Sequence, residues 1–365
     1  VADSHVVVCC GSGGVGKTTT AAVIALEGAR RGRRAVVVTI DPARRLADAL
    51  GLEGLSNSPA KIDGDWTGEL WALMLDTKST FDGLVRRYSS DPDQAQRILS
   101  NSFYRNISGA LSGTQEYMAS EKLYELAEEG DWDLVVVDTP PTRNALDFLD
   151  APQRLAHFLD HRLYKLLMSP TRGLVRAVNV AAQALLRSMA KVVGSEVIAD
   201  AIAFFQAFEG MEQGFKERAR RVDALLRDQR TSFLLVASPK ADTVAEAGFF
   251  ADKLHENGIE VRGLVVNRMQ PSFTTADEGL ATSAEAARAR ADTLAGTALG
   301  DHYRCLADAR QLARGEERHL AGLTERVAPA PVARVPVQPF EVTDLASLAG
   351  LARLLFDADD ATPRR

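Results

Sequence analysis

Apolar residues in this chain fall into two patterns, short unbroken runs and longer stripes at helical spacing. Val6-Val7-Val8-Cys9-Cys10 is an unbroken run stopped by Gly11, as expected of a strand covered on both faces. Similar runs predict strands at 35–40, 70–75, 134–137, 233–237, 261–266 and 332–337. Residues 18–31 are rich in Ala and are followed by Gly32, which predicts a helix with a glycine stop. Strands separated by helices predict an α/β fold: a mostly parallel sheet with helices on both faces.

Strand signals vanish over 79–129 and again over 152–230, where helical periodicity takes over. These two stretches read as helical subdomain insertions into one domain spanning 1–365. In the second, Leu155, Phe158, Leu159, Leu163, Leu166 and Leu167 share one helix face. Leu174, Val178, Leu185, Met189 and Val192 form another stripe, and Phe204, Phe208, Met211 and Phe215 a third. The stripes either pack on one another or line a groove for an apolar ligand, since Met and Phe adapt to varied partners. Pro329, Pro331, Pro336 and Pro339 forbid a helix and predict an extended connector. A final helix is expected at 343–356, so that 332–365 forms a C-terminal strand and packing helix.

At 365 residues, with 46% hydrophobic and 25% charged, the composition is that of a globular protein and excludes wholesale disorder. The net charge of −6 weighs against nucleic acid or anionic membrane as a partner. No apolar run approaches the ~18–20 residues that cross a bilayer, and Val1 to His5 lack the pattern of a secretory leader. The last helix carries one base, Arg353, so a direct membrane anchor is not expected. The three cysteines, Cys9, Cys10 and Cys305, give neither a disulfide framework nor a zinc site. A cytoplasmic address follows as the expectation.

Chemistry enters with Gly11-Ser12-Gly13-Gly14-Val15-Gly16-Lys17-Thr18, which fits G-x-x-x-x-G-K-[ST] between an expected strand and an expected helix. The glycines let backbone N–H groups curl around a phosphate, and the helix directs its positive end at it. Lys17 is expected to reach the β- and γ-phosphates of a nucleotide, with Thr18 ligating Mg²⁺ and Thr19 following in the same turn. Two acids end strands beside this loop. Asp138 either holds the Mg²⁺ shell, through water, or opens the turn Asp138-Thr139-Pro140-Pro141. Asp41 either orients the attacking water or caps a helix at 43–50. His157 and His161, four apart, read as a solvated helix face more readily than as a metal pair. Arg44, Arg45 and Arg143 stand near the two acids and could meet phosphate or a partner carboxylate.

The loop G-S-G-G-V-G-K-T-T, with D-P-A-R-R-L at Asp41 and D-T-P-P-T-R-N-A-L at Asp138, resembles the arsenite-pump ATPases. It is equally similar to the tail-anchored-protein targeting ATPases of the guided-entry pathway, both in the deviant P-loop group. The resemblance runs over nearly the whole chain, to Val265-Val266-Asn267-Arg268-Met269-Gln270-Pro271. It implies a dimeric ATPase with facing nucleotide sites, Asp41 in switch I, 138–142 in switch II, and Asn267 reading adenine. An amide suits adenine because it offers a donor and an acceptor together. The group's signature lysine at the second loop position is here Ser12, and counterparts of the metalloid cysteines and of the C-x-x-C zinc clasp are missing. A single phosphate loop also rules out the two-halved pump arrangement within one chain. The expected function is therefore an ATP-hydrolysing, Mg²⁺-dependent dimer whose helical subdomain handles a client, as in targeting or chaperoning, with a membrane-protein client. The alternatives are the soluble subunit of an anion exporter, working with an integral transporter, and a nucleotide-binding scaffold with weak hydrolysis. Ser12 favours a heterodimer with a paralogue that retains the lysine over a homodimer.

Overall fold

The computed structural model describes residues 3–41, 45–107, 114–140, 147–161, 195–271, 273 and 283–356. They hold an eight-stranded sheet in the order β3-β4-β2-β5-β1-β6-β7-β8. The strands are β1 (Val6–Cys10), β2 (Arg34–Thr39), β3 (Ala60–Ile62), β4 (Glu69–Met74), β5 (Leu134–Asp138), β6 (Thr231–Ala237), β7 (Val261–Met269) and β8 (Val332–Pro336). Neighbouring strands are parallel throughout, except that β3 runs antiparallel along β4 at the edge. β3 is the strand the apolar pattern missed. It has three residues, only Ile62 is buried, and so it carries no readable period.

The unbroken apolar runs have a direct physical cause. Successive side chains of a strand point to opposite faces, and here both faces are covered. Val6, Val8, Val36, Val38, Val135 and Val137 join one core with Leu123, Phe148, Val222, Phe250 and Leu320. Val7, Cys9, Val37, Val136, Leu234 and Val236 join the other, against Val23, Ile24 and Leu26 of helix α1 (Lys17–Arg30) and Leu348 of the final helix. That final helix is Leu345–Phe356, two residues shorter than the apolar pattern suggested, because Asp344 caps it by accepting from the Ser347 N–H at 2.7 Å. Among the described residues no helix is long and apolar enough to cross a membrane.

A third apolar cluster lies within the helical stretches. Val85, Ile98, Tyr104 and Met118, which precede β5 in sequence, pack with Leu159, Phe204, Phe208, Met211 and Phe215, which follow it. The stripe of three phenylalanines and Met211 is buried as its spacing suggested, but not on one helix. Phe204 lies in the last turn of one helix (Ser195–Ala207), Phe215 lies in the next (Glu212–Leu226), and Phe208 and Met211 form the corner between them. Of the earlier stripe, Leu159 is buried while Phe158 is 50% exposed on the helix Asp147–Asp160. Leu163, Leu166 and Leu167, and the whole stripe from Leu174 to Val192, lie outside the described residues.

Candidate functional site

β1 sits where the chain's connections part. After β1 the chain builds β2 to β4 on one side and returns to β5, then continues to β6, β7 and β8 on the other. Open α/β sheets bind ligands in the crevice at such a point, beyond the carboxyl ends of the strands. The loop 11–16 leaves β1 there and opens α1.

Backbone geometry favours glycine at three of its positions, Gly11, Gly14 and Gly16, and space is also short at the first and last. Gly11 has φ 151°, and a Cβ on it would lie 2.1 Å from the Val236 carbonyl oxygen of β6. Gly16 has φ 97°, and a Cβ would lie 2.3 Å from Nδ2 of Asn267. A larger residue at Gly11 meets the backbone of β6, and one at Gly16 combines a strained φ with displacement of the Asn267 amide from the loop. Val15 is buried and anchors the loop, whereas Gly13 and Gly14 are exposed at its tip. Gly16 caps α1 without a side-chain acceptor, so the first N–H groups of this 14-residue helix are left for another acceptor. Thr19, in the first turn, is half-buried.

Lys17 is 6% exposed, and its Nζ donates to the backbone oxygen of Ser12 at 2.8 Å. Burial pulls the ammonium below its ordinary pKa, against the opposing charges of Asp138 and Asp41. The Ser12 hydroxyl is buried and has no hydrogen-bond partner among the described residues. Asp138, the last residue of β5, is 1% exposed. Its Oδ2 accepts from the Thr18 hydroxyl at 2.8 Å and from the Thr39 hydroxyl at 2.9 Å. Its Oδ1 is buried with no partner among the described residues. Burial raises this carboxyl to about 6, although the two hydroxyls and Lys17 pull the other way. Asp41 lies two residues past the end of β2. Its backbone N–H donates to the Thr39 hydroxyl at 3.2 Å, and its Oδ2 stands 3.6 Å from Arg45 Nη1.

These residues fit the ligands that the sequence suggests. An uncapped helix end, a glycine cradle and a buried lysine together suit a polyphosphate. One hydroxyl and one carboxylate with an unused oxygen suit Mg²⁺, a hard cation that keeps several of its waters. Asn267, the residue expected to read adenine, lies against the loop. Its Nδ2 donates to the Val15 oxygen at 2.9 Å and its Oδ1 accepts from the Arg268 N–H at 2.9 Å. Arg268 takes a left-handed φ of 62°, which a β-strand end without glycine adopts only under local constraint. Thr39 is the neighbour of the two acids to which the motif reading gave no role, whereas Arg45, considered there for phosphate or a partner carboxylate, stands by Asp41 of its own chain.

Cys9 and Cys10 are buried on β1, and burial raises both thiols, Cys10 to about 12. His157 and His161 are exposed at one end of their helix. Arg44 and Arg143, with Pro141 and Thr142 of the second acidic segment, lie outside the described residues.

Residues 4–292 match the family described as anion-transporting ATPase, a span that takes in the loop, both acids and Asn267. The chain is similar to ATPase ARSA2 of Chlamydomonas reinhardtii, 27% identical over 262 residues, covering 71% of this chain and 66% of that protein. It is also similar to ATPase GET3 of Malassezia globosa, 25% identical over 262 residues (72% and 71% of the two chains). ATPase ASNA1 homolog 1 of Paramecium tetraurelia is 26% identical over 264 residues, with 71% and 73% covered.

Proposed function

Because the chain belongs to the anion-transporting ATPase family, and is therefore an ATPase, we propose that the site just described hydrolyses ATP in a Mg²⁺-dependent dimer. In this reading Lys17 leaves the Ser12 oxygen for the β- and γ-phosphates. The N–H groups of 11–16 and of the first turn of α1, Thr19 included, wrap the same phosphates. Thr18 would offer Mg²⁺ a lone pair while its O–H stays on Asp138 Oδ2, and Asp138 Oδ1 would accept from a water of the metal's shell. Mg²⁺ held there would supply positive charge to the phosphate oxygens. Asp41 orients the attacking water. Asn267 has one amide N–H and one lone pair to spare beyond its loop contacts, and these are offered to adenine. The observation that carries the reading is the convergence of the Thr18 hydroxyl on a buried carboxylate whose other oxygen is unused.

We assign 79–129 and 152–230 as helical insertions that nucleotide state moves, and a membrane-protein segment as the client they handle in targeting. The apolar cluster shared by both stretches supports one packed unit that responds as a whole. Lys17→Ala tests the site: hydrolysis is expected to vanish with the fold intact, and undiminished turnover would remove the assignment. Asp41→Asn is expected to keep ATP binding while turnover falls sharply. Equal loss of both would mark Asp41 as structural.

A further inference from the structure

β2 runs Val36, Val37, Val38 and then Thr39, and a fourth valine would suit the strand equally well. Thr39 is 1% exposed, and a buried hydroxyl destabilises unless it is hydrogen-bonded. Here it is bonded twice. The parallel register sets Thr39 beside Asp138, and its O–H donates to Oδ2 at 2.9 Å. Its oxygen accepts the Asp41 backbone N–H at 3.2 Å. The direction of both bonds is fixed, since a carboxylate only accepts and an amide N–H only donates. One hydroxyl thus joins the two acids that the reading above assigns to metal and to water.

We propose that Thr39 is a positioning residue for hydrolysis, which holds the Asp138 carboxylate with Oδ1 unengaged and ties the segment beginning at Asp41 to it. The inference rests on the proposed site. A carboxylate held by Thr18 alone turns more freely about its last bond and offers Oδ1 to the metal's water shell for less of the time. A segment freed at the Asp41 N–H positions the attacking water less often. The two losses are separable, one in the Mg²⁺ requirement and one in turnover.

The test compares Thr39→Val, which keeps shape without the hydroxyl, with Thr39→Ser, which keeps the hydroxyl. One readout needs no catalysis: the Mg²⁺ concentration that half-saturates binding of a fluorescent ADP analogue. The other is the split between kcat and KM for ATP. A hydrogen bond to a charged group is worth about tenfold or more, so the valine variant should need about tenfold more Mg²⁺. Its kcat should fall by about tenfold with KM changed less than about twofold. The serine variant should recover most of both. Unchanged values for valine, or equal losses in serine, overturn the assignment. If the valine variant does not fold, hydrogen exchange at the Asp41 amide of the unaltered chain decides: slow exchange supports the tie, and free exchange overturns it. Lys17→Ala is run beside them. Loss of turnover there with normal behaviour of Thr39→Val rejects the role of Thr39 alone; retained turnover in Lys17→Ala rejects the site and the inference with it.

Discussion

Asp138 is a carboxylate that the fold holds at a cost. Burial strips its water, and the Thr18 and Thr39 hydroxyls and Lys17 recover only part of the loss, so its pKa stands at about 6. A carboxyl raised by folding binds a proton more tightly in the native chain than in the unfolded one. Its contribution to stability is therefore full below about pH 4 and is lost as pH rises through about 6. Asp138→Asn removes that dependence. Between pH 4 and pH 7.5 the nucleotide-free variant should gain about 2 kcal/mol relative to its parent, read from urea unfolding at both pH values. A difference that does not vary with pH would contradict the burial argument. At this scale the acids and the loop were legible because each role demands one residue type at a strand end. Thr39 was not, because a threonine closing a run of valines is what strand propensity delivers in any case.

Among the helices, one ion cluster links elements from both helical stretches. Arg218, on Glu212–Leu226, donates from Nε to Glu121 at 2.7 Å and pairs through Nη1 with Glu129. Its guanidinium also lies 3.9 Å from the centre of the Tyr124 ring. Glu121 lies on the helix Thr114–Tyr124, and Glu129 closes the π-helical turn Glu125–Glu129 that leads to β5. Arg87, from Thr77–Tyr88, holds Glu129 with both carboxylate oxygens within 3.0 Å. Arg218 and Glu121 are 4% and 2% exposed, so truncating Arg218 leaves an uncompensated buried acid. Arg218→Met should cost about 3–5 kcal/mol in urea unfolding, and adding Glu121→Gln should return a large part of it. Additive costs in the double variant would mean that the pair is not coupled. Nothing in the sequence marks Arg218, which stands in Lys216-Glu217-Arg218-Ala219-Arg220-Arg221, a run that reads as a solvated charged face. The aromatic stripe near it was legible as buried, but Gly210, at φ 89°, turns the chain between Phe208 and Met211. Spacing alone does not reveal such a corner.

For the whole molecule the decisive position is Ser12, buried in the loop with a short side chain. A lysine crossing an interface to the transferring phosphate works as an arginine finger does, worth roughly 10³–10⁵ in rate. Serine brings no such charge, and we propose a mixed dimer with a lysine-bearing paralogue: the chain alone should then turn over slowly and the mixed complex quickly. In that complex Lys17→Ala should abolish most of the hydrolysis, while the partner's loop lysine should matter little. Fast turnover by the chain alone would defeat this, as would a mixed complex indifferent to Lys17. Fold class was legible at this scale, since apolar runs alternating with helices leave little but a covered parallel sheet. Strand order was not, because it depends on which crossovers pass over which neighbours. That order has a consequence for how the protein is made. β1 lies between β5 and β6, and Val6 must wait 225 residues for its partner Thr231. At synthesis rates of about 5–20 residues per second, that wait is roughly 10–45 s. For that time a run of three valines and two cysteines has one edge without its strand, open to aggregation and to chaperones that hold apolar segments. The phosphate loop is thus written early and assembled late, and ATP can begin to stabilise the fold only after Ala237 has emerged.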